Sequence, residues 1–140
     1  MERLAEARSG WVNLLAGVRP EDVPDPVSPL GAIFSSTSAD APMCTWVPGR
    51  VLRRRTEPTR IGISHSSGPR AVARLAGLGV EVPAGWRVAQ DHLRRGLVMV
   101  VPEGEEASAV AGWILRAGAA LSSLPLTGEW RAEVFERSTR

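Results

Sequence analysis

Leu4, Ala7, Trp11, Leu14 and Val18 recur at alternating spacings of three and four residues. That rhythm lays them along one stripe of a helix, so the pattern predicts an amphipathic helix over residues 2–18, closed by Arg19-Pro20. Residues 20–42 are rich in Pro, Ser and Asp around a short apolar island, Leu30 to Phe34. They read as an extended arm lying on the domain. Cys44 to Val47 suits a short strand that Pro48-Gly49 breaks, with Arg50 to Arg55 resuming it as an edge.

From residue 59 the pattern is regular. Arg60 to His65 alternates around Ile61 and Ile63, the period of a strand. Ser66-Ser67-Gly68-Pro69 offers a capping hydroxyl and an early proline, a helix start. The helix it opens buries Val72, Leu75 and Leu78 and stops at Gly77 or Gly79. Trp86 to His92 predicts a second strand with Trp86, Val88, Gln90 and His92 on one face. Leu97 to Val101 predicts a third, apolar on both faces. Acids at 103, 105 and 106 precede a long helix whose stripe is Val110, Ile114, Ala117 and Leu121. A final strand runs from Trp130 to Glu136.

The order is βαββαβ, and the expectation is an α+β fold with a ferredoxin-like core over about residues 59–137. The chain reads as one domain: residues 1–58 supply the N-terminal helix, arm and edge strand, and residues 59–140 the core. In that topology the two helices cover one sheet face. The other would be covered by the N-terminal helix and arm, or by a second copy in a homodimer through the sheet face.

A chain of 140 residues suits one core. It offers no apolar run of membrane-spanning length and no signal-peptide pattern at Met1 to Glu6. The expectation is a cytoplasmic protein with no membrane partner. Cys44 is the single cysteine, which excludes an internal disulfide and a multi-cysteine metal site. The pI of 9.9 against a net charge of only +2 arises because every basic residue is Arg and Tyr is absent. Little then titrates between His and Arg, and the pI by itself is no argument for nucleic acid. Distribution says more: residues 50–95 carry ten Arg against Glu57, Glu81 and Asp91, and the rest carries seven against twelve acids.

Arg53, Arg54 and Arg55, with Arg94 and Arg95, are candidates to contact the phosphates of a nucleic acid or other polyanion. They serve equally as solvated protection of a strand edge. The start Ser66-Ser67-Gly68-Pro69-Arg70 is the candidate cradle for one phosphate, set against the plainer reading that Ser66 or Ser67 caps the helix. It is neither a P-loop, lacking Lys, nor a Gly-x-Ser-x-Gly elbow. His65 and His92, each ending a strand, are candidates for chemistry at one end of the sheet, with Ser64 or Cys44 as nucleophile. Two histidines without a third ligand argue for no metal, and no cofactor motif is present. Single-strand readers on open sheets use stacked aromatics. Here Trp86 and Phe135 are the plausible sheet aromatics and read as core, as do Trp11 and Trp130, whereas Trp113 falls off its helix's main face and marks an interface or the contact with the N-terminal arm. The leading reading is a non-enzymatic binding or regulatory module for an anionic partner. A small enzyme or ligand-binding protein using the His65–His92 end, and a structural homodimer with no ligand, stand beside it.

Overall fold

The structure, a computed structural model, describes residues 1, 3–4, 9–23 and 41–136. Six strands form one antiparallel sheet: β1 (Trp11–Val18), β2 (Met43–Val47), β5 (Thr59–Ser64), β6 (Arg87–His92), β7 (Gly96–Val101) and β8 (Leu126–Phe135). Their spatial order is β6-β7-β5-β2-β1-β8. A separate hairpin, β3 (Arg50–Leu52) with β4 (Arg55–Glu57), rises between β2 and β5. The helices are α1 (Ala71–Gly77) and α2 (Ala107–Ala120), and a single 3-10 turn spans Pro20–Asp22.

This overturns the ferredoxin-like expectation. The element sequence from residue 59 is strand, helix, two strands, helix, strand, yet β8 pairs with β1 and not with β5. The expected N-terminal helix is the reason: residues 11–18 are a strand, and β1 and β2 stand between β5 and β8. In Trp11-Val12-Asn13-Leu14-Leu15-Ala16 so many positions are apolar that period 3.6 and period 2 both find matches. The strand wins by burying Val12 and Leu14 against the core. Among the described residues of that stretch, 3 and 4 are helical, and Leu4 is buried. Leu30 to Phe34 and most of the expected arm lie outside the described residues. Arg50 to Arg55 does not resume a sheet edge; it turns back as the β3–β4 hairpin.

Both helices cover the same face of the sheet. Paired residues in antiparallel strands point to one side, so the registers define two inward rows. Val12, Trp46, Ile61 and Met99 make one, and Leu14, Cys44, Ile63 and Leu97 the other. Against them α2 sets Val110, Trp113, Ile114, Ala117 and Gly118, and α1 sets Ala71 and Leu75. Leu78, expected inside, is exposed beyond the end of α1. Trp113, expected at an interface or against the N-terminal arm, is buried: it tilts against Trp86 and donates to the Glu81 carbonyl at 2.7 Å. A bulge between Val88 and Gln90 breaks the expected single face of β6. Val88 pairs with inward Met99, whereas Gln90 and His92 point to the opposite side. Among the described residues no helix is long and apolar enough to cross a membrane.

Helix and sheet approach closely at Gly118. A Cβ there would stand 2.7 Å from Cys44 Sγ and 3.0 Å from the Trp130 ring. A Gly118→Val variant is expected to lose about 1–3 kcal/mol by overpacking, read as a lower denaturation midpoint with an unchanged m-value.

Candidate functional site

Among the described residues the opposite face of the sheet carries no helix, and three cross-strand rows lie on it. The first runs across all six strands as Arg87, Val100, Arg60, Val47, Trp11 and Phe135. Trp11 stands beside Val47 one step beyond the Val12–Trp46 pair. The second row, Gln90, Val98, Gly62, Thr45, Asn13 and Glu133, is half-buried throughout. Gly62 leaves a shallow place in it: a Cβ there would meet nothing nearer than the Leu97 carbonyl at 4.0 Å. Beside it the Thr45 hydroxyl donates to Asn13 Oδ1 at 3.0 Å. The third row joins His92 and Ser64 to Met43, Leu15 and Arg131.

The first row is the open one. Val47 is 41% exposed, Trp11 36% and Phe135 38%. The two rings stack at 4.8 Å with planes 10° apart. Arg60 and Arg87 flank Val100 from either side, about 10 Å apart at the usual strand spacing. Both are exposed, and neither joins an ion pair among the described residues. In contrast Arg131 is paired with Glu133 at 3.0 Å. Sequence reasoning missed this row. The periodicity puts Trp11 on a helix and Phe135 in the core, and no local signal tells which side of a half-apolar strand faces the helices.

The arginines singled out from sequence do not form one patch. Arg53 and Arg54 turn the β3–β4 hairpin beyond the Val47–Arg60 end of the sheet, whereas Arg94 and Arg95 turn the β6–β7 hairpin at the Ser64–Gly96 end. The length of β5, about 17 Å, separates those ends. Arg55 and Arg50 both bond Glu57, and the Arg50 hydrogen bond holds the Glu57 carboxyl below its ordinary range. Ser66 to Arg70 lies at the same end as Arg94 and Arg95.

That helix start holds the chain's own carboxylate. The Ala71 and Val72 N–H groups donate to the two oxygens of Asp91 at 3.0 and 3.1 Å. Neither serine caps α1: Ser67 Oγ bonds His65 Nδ1 at 2.9 Å, and Ser66 Oγ bonds Ser123 Oγ at 2.8 Å. Arg70 sits outside the helix at its N-cap with φ 63°, the left-handed region.

The two histidines share one end of the sheet but not one side. His65 is buried on the helix face, and its Nε2 has no hydrogen-bond partner among the described residues. Burial pushes its pKa down, Asp91 opposes this, and Arg74 adds to it. His92 is exposed on the open face, and its Nδ1 accepts the Arg94 and Arg95 N–H groups at 3.1 and 3.3 Å. Ser64 is on the open face beside Met43, away from His65. Cys44 is buried, its thiol pushed up to about 12 by desolvation. A cavity of about 500 Å³ lies at the base of the β3–β4 hairpin over Trp46 and Val110, and neither histidine lines it. Among the described residues no three His, Cys, Asp or Glu are grouped to hold a metal ion.

Two outcomes follow for this end of the sheet. Asp91→Ala is expected to cost about 1 kcal/mol through the lost helix cap, measured by chemical denaturation. Because the folded protein disfavours protonated His65, the unfolded state binds more protons below its ordinary pKa of about 6.5. Stability is therefore full above that pH and declines as pH falls through the window down to the lowered folded value. His65→Gln is expected to flatten that decline when denaturation midpoints at pH 7.5 and pH 5 are compared. Set against known proteins, the chain matches no protein-family model, no curated protein and no solved structure.

Proposed function

We propose that the chain is a non-enzymatic binding module that engages a polyanionic partner across the open face of its sheet. One observation carries the reading: two exposed guanidiniums that join no ion pair among the described residues, Arg60 and Arg87, stand on a row that no described element covers, with Val100 between them and Val47, Trp11 and Phe135 beyond. Charges at that spacing suit successive anionic groups of one extended partner, and the exposed apolar positions between them give it surface to bury. Arg53, Arg54, Arg94 and Arg95 lie at the two ends of the sheet, where they extend the basic field.

An enzymatic reading has less behind it. His65 is buried beside the Ser67 hydroxyl, and the cavity over Trp46 and Val110 brings together neither histidine nor Cys44. The burial that raises the Cys44 thiol leaves it a poor nucleophile.

The test is binding of a labelled oligonucleotide, followed by anisotropy over a salt series. Each phosphate neutralised contributes about 0.7 to the salt slope for a single strand. The Arg60→Ala/Arg87→Ala variant is expected to lower the slope by about 1.4, and Arg53→Ala/Arg54→Ala to lower it less. Absence of binding at low salt overturns the proposal, as does a concentration-dependent dimer that buries the same row and persists in the double variant.

A further inference from the structure

We infer that the polyanion is a single-stranded nucleic acid, with Trp11 and Phe135 as its base-stacking platform. The inference rests on the open-face reading above and adds the class of partner. Phosphate recognition asks only for cations, and a duplex, polyphosphate or acidic peptide would satisfy Arg60 and Arg87 equally well. What separates a single strand from these is its unstacked bases, which seek flat aromatic faces beside the charges that hold the backbone.

The row supplies that combination in order. Arg87 and Arg60 occupy one end, and the stacked rings of Trp11 and Phe135 the other, with Val47 between. Phe135 lies on β8, the edge strand of the sheet among the described residues, so one of its faces meets Trp11 and the next position outward belongs to no described strand. Its exposure of 38% is large for an aromatic ring that already stacks on a neighbour. A base added there would continue the Trp11–Phe135 stack away from the sheet. The row spans about 24 Å at the usual strand spacing, crossing the strands so that the backbone of a bound strand runs over Val47 towards Arg60 and Arg87. Its mixture of cations and exposed apolar rings is poorly matched to a duplex, whose bases are already stacked on one another.

An acidic protein segment is the competing occupant. It would use the same two arginines but would gain nothing specific to a flat ring.

The experiment compares a single-stranded oligonucleotide, its duplex, polyphosphate and polyglutamate, each titrated into the full chain, with Phe135→Ala and Phe135→Trp alongside. The expected result is preference for the single strand. Loss of one stacked base is worth about 1–3 kcal/mol, so Phe135→Ala should weaken single-strand binding about tenfold with an unchanged salt slope. Phe135→Trp should retain binding, and polyphosphate affinity should not move. Equal binding of all nucleic acids and polyphosphate, indifferent to Phe135→Ala, overturns the stacking inference and leaves the polyanion reading standing. Displacement of the oligonucleotide by polyglutamate at matched charge overturns it in favour of an acidic protein. No binding by any polyanion removes both. Thermal melts of both variants control for folding, and Phe135→Trp keeps the test open if the alanine variant does not fold.

Discussion

The contact of α2 with the middle of the sheet governs the rest of the structure. Gly118 brings the helix close enough that its Cα faces the Cys44 sulfur and the Trp130 ring, and the Cys44 thiol points at the Ile114 carbonyl. Burying Cys44, Trp46, Ile61 and Ile63 beneath that helix decides which side of β2 and β5 is inward. Once those two strands are set, pairing transmits the choice outward, because a residue opposite an inward residue must also face inward. Val12 and Leu14 follow on β1, and Leu97 and Met99 on β7. The open face is the complement of this choice. Arg60, Arg87, Trp11 and Phe135 share one row because each pairs within the register that Ile61, Trp46 and Val12 impose one position away.

The same constraint explains why a βαββαβ order did not yield a ferredoxin-like sheet. In that fold the last strand would lie beside β5. Here β2 takes that place, pairing Met43 to Val47 with Arg60 to Ser64 through five residues. β1 follows and β8 closes on β1 over most of its length, with one irregularity near Ala16. The β1–β8 pairing joins positions more than a hundred residues apart. Loop closure over such distances is unfavourable until many contacts form together, and nothing in the local pattern of residues 126–135 distinguishes β5 from β1 as partner.

The chemistry of the sheet end shows how tertiary contacts reassign residues whose local roles look settled. Ser66 and Ser67 have the composition of a helix cap, yet the cap is Asp91, reaching from β6 to the N–H groups of Ala71 and Val72. A carboxylate presented by a neighbouring strand satisfies two donors at once and complements the helix dipole. The serines are then free to bond His65 and Ser123. An internal anion thus fills the place that sequence offered to an external one. His92, the other candidate for chemistry, holds the backbone of a hairpin turn.

By itself, the sequence determined what depends on neighbours a few residues away. Alternation around Ile61 and Ile63 marked β5, the unbroken apolar run marked β7, and the spacing of Val110, Ile114, Ala117 and Leu121 marked the buried stripe of α2. Glycine and proline positions marked most of the turns. Residues 11–18 defeated the same reasoning because an almost wholly apolar segment satisfies both periods, and only a partner on each side selects the strand. The candidate site belongs to the tertiary structure almost entirely. Arg60, Arg87, Trp11 and Phe135 are scattered over 125 positions of sequence, and they become neighbours only through strand order and register. Which side of a strand meets a helix is settled by packing across the whole sheet, and no single strand carries that information.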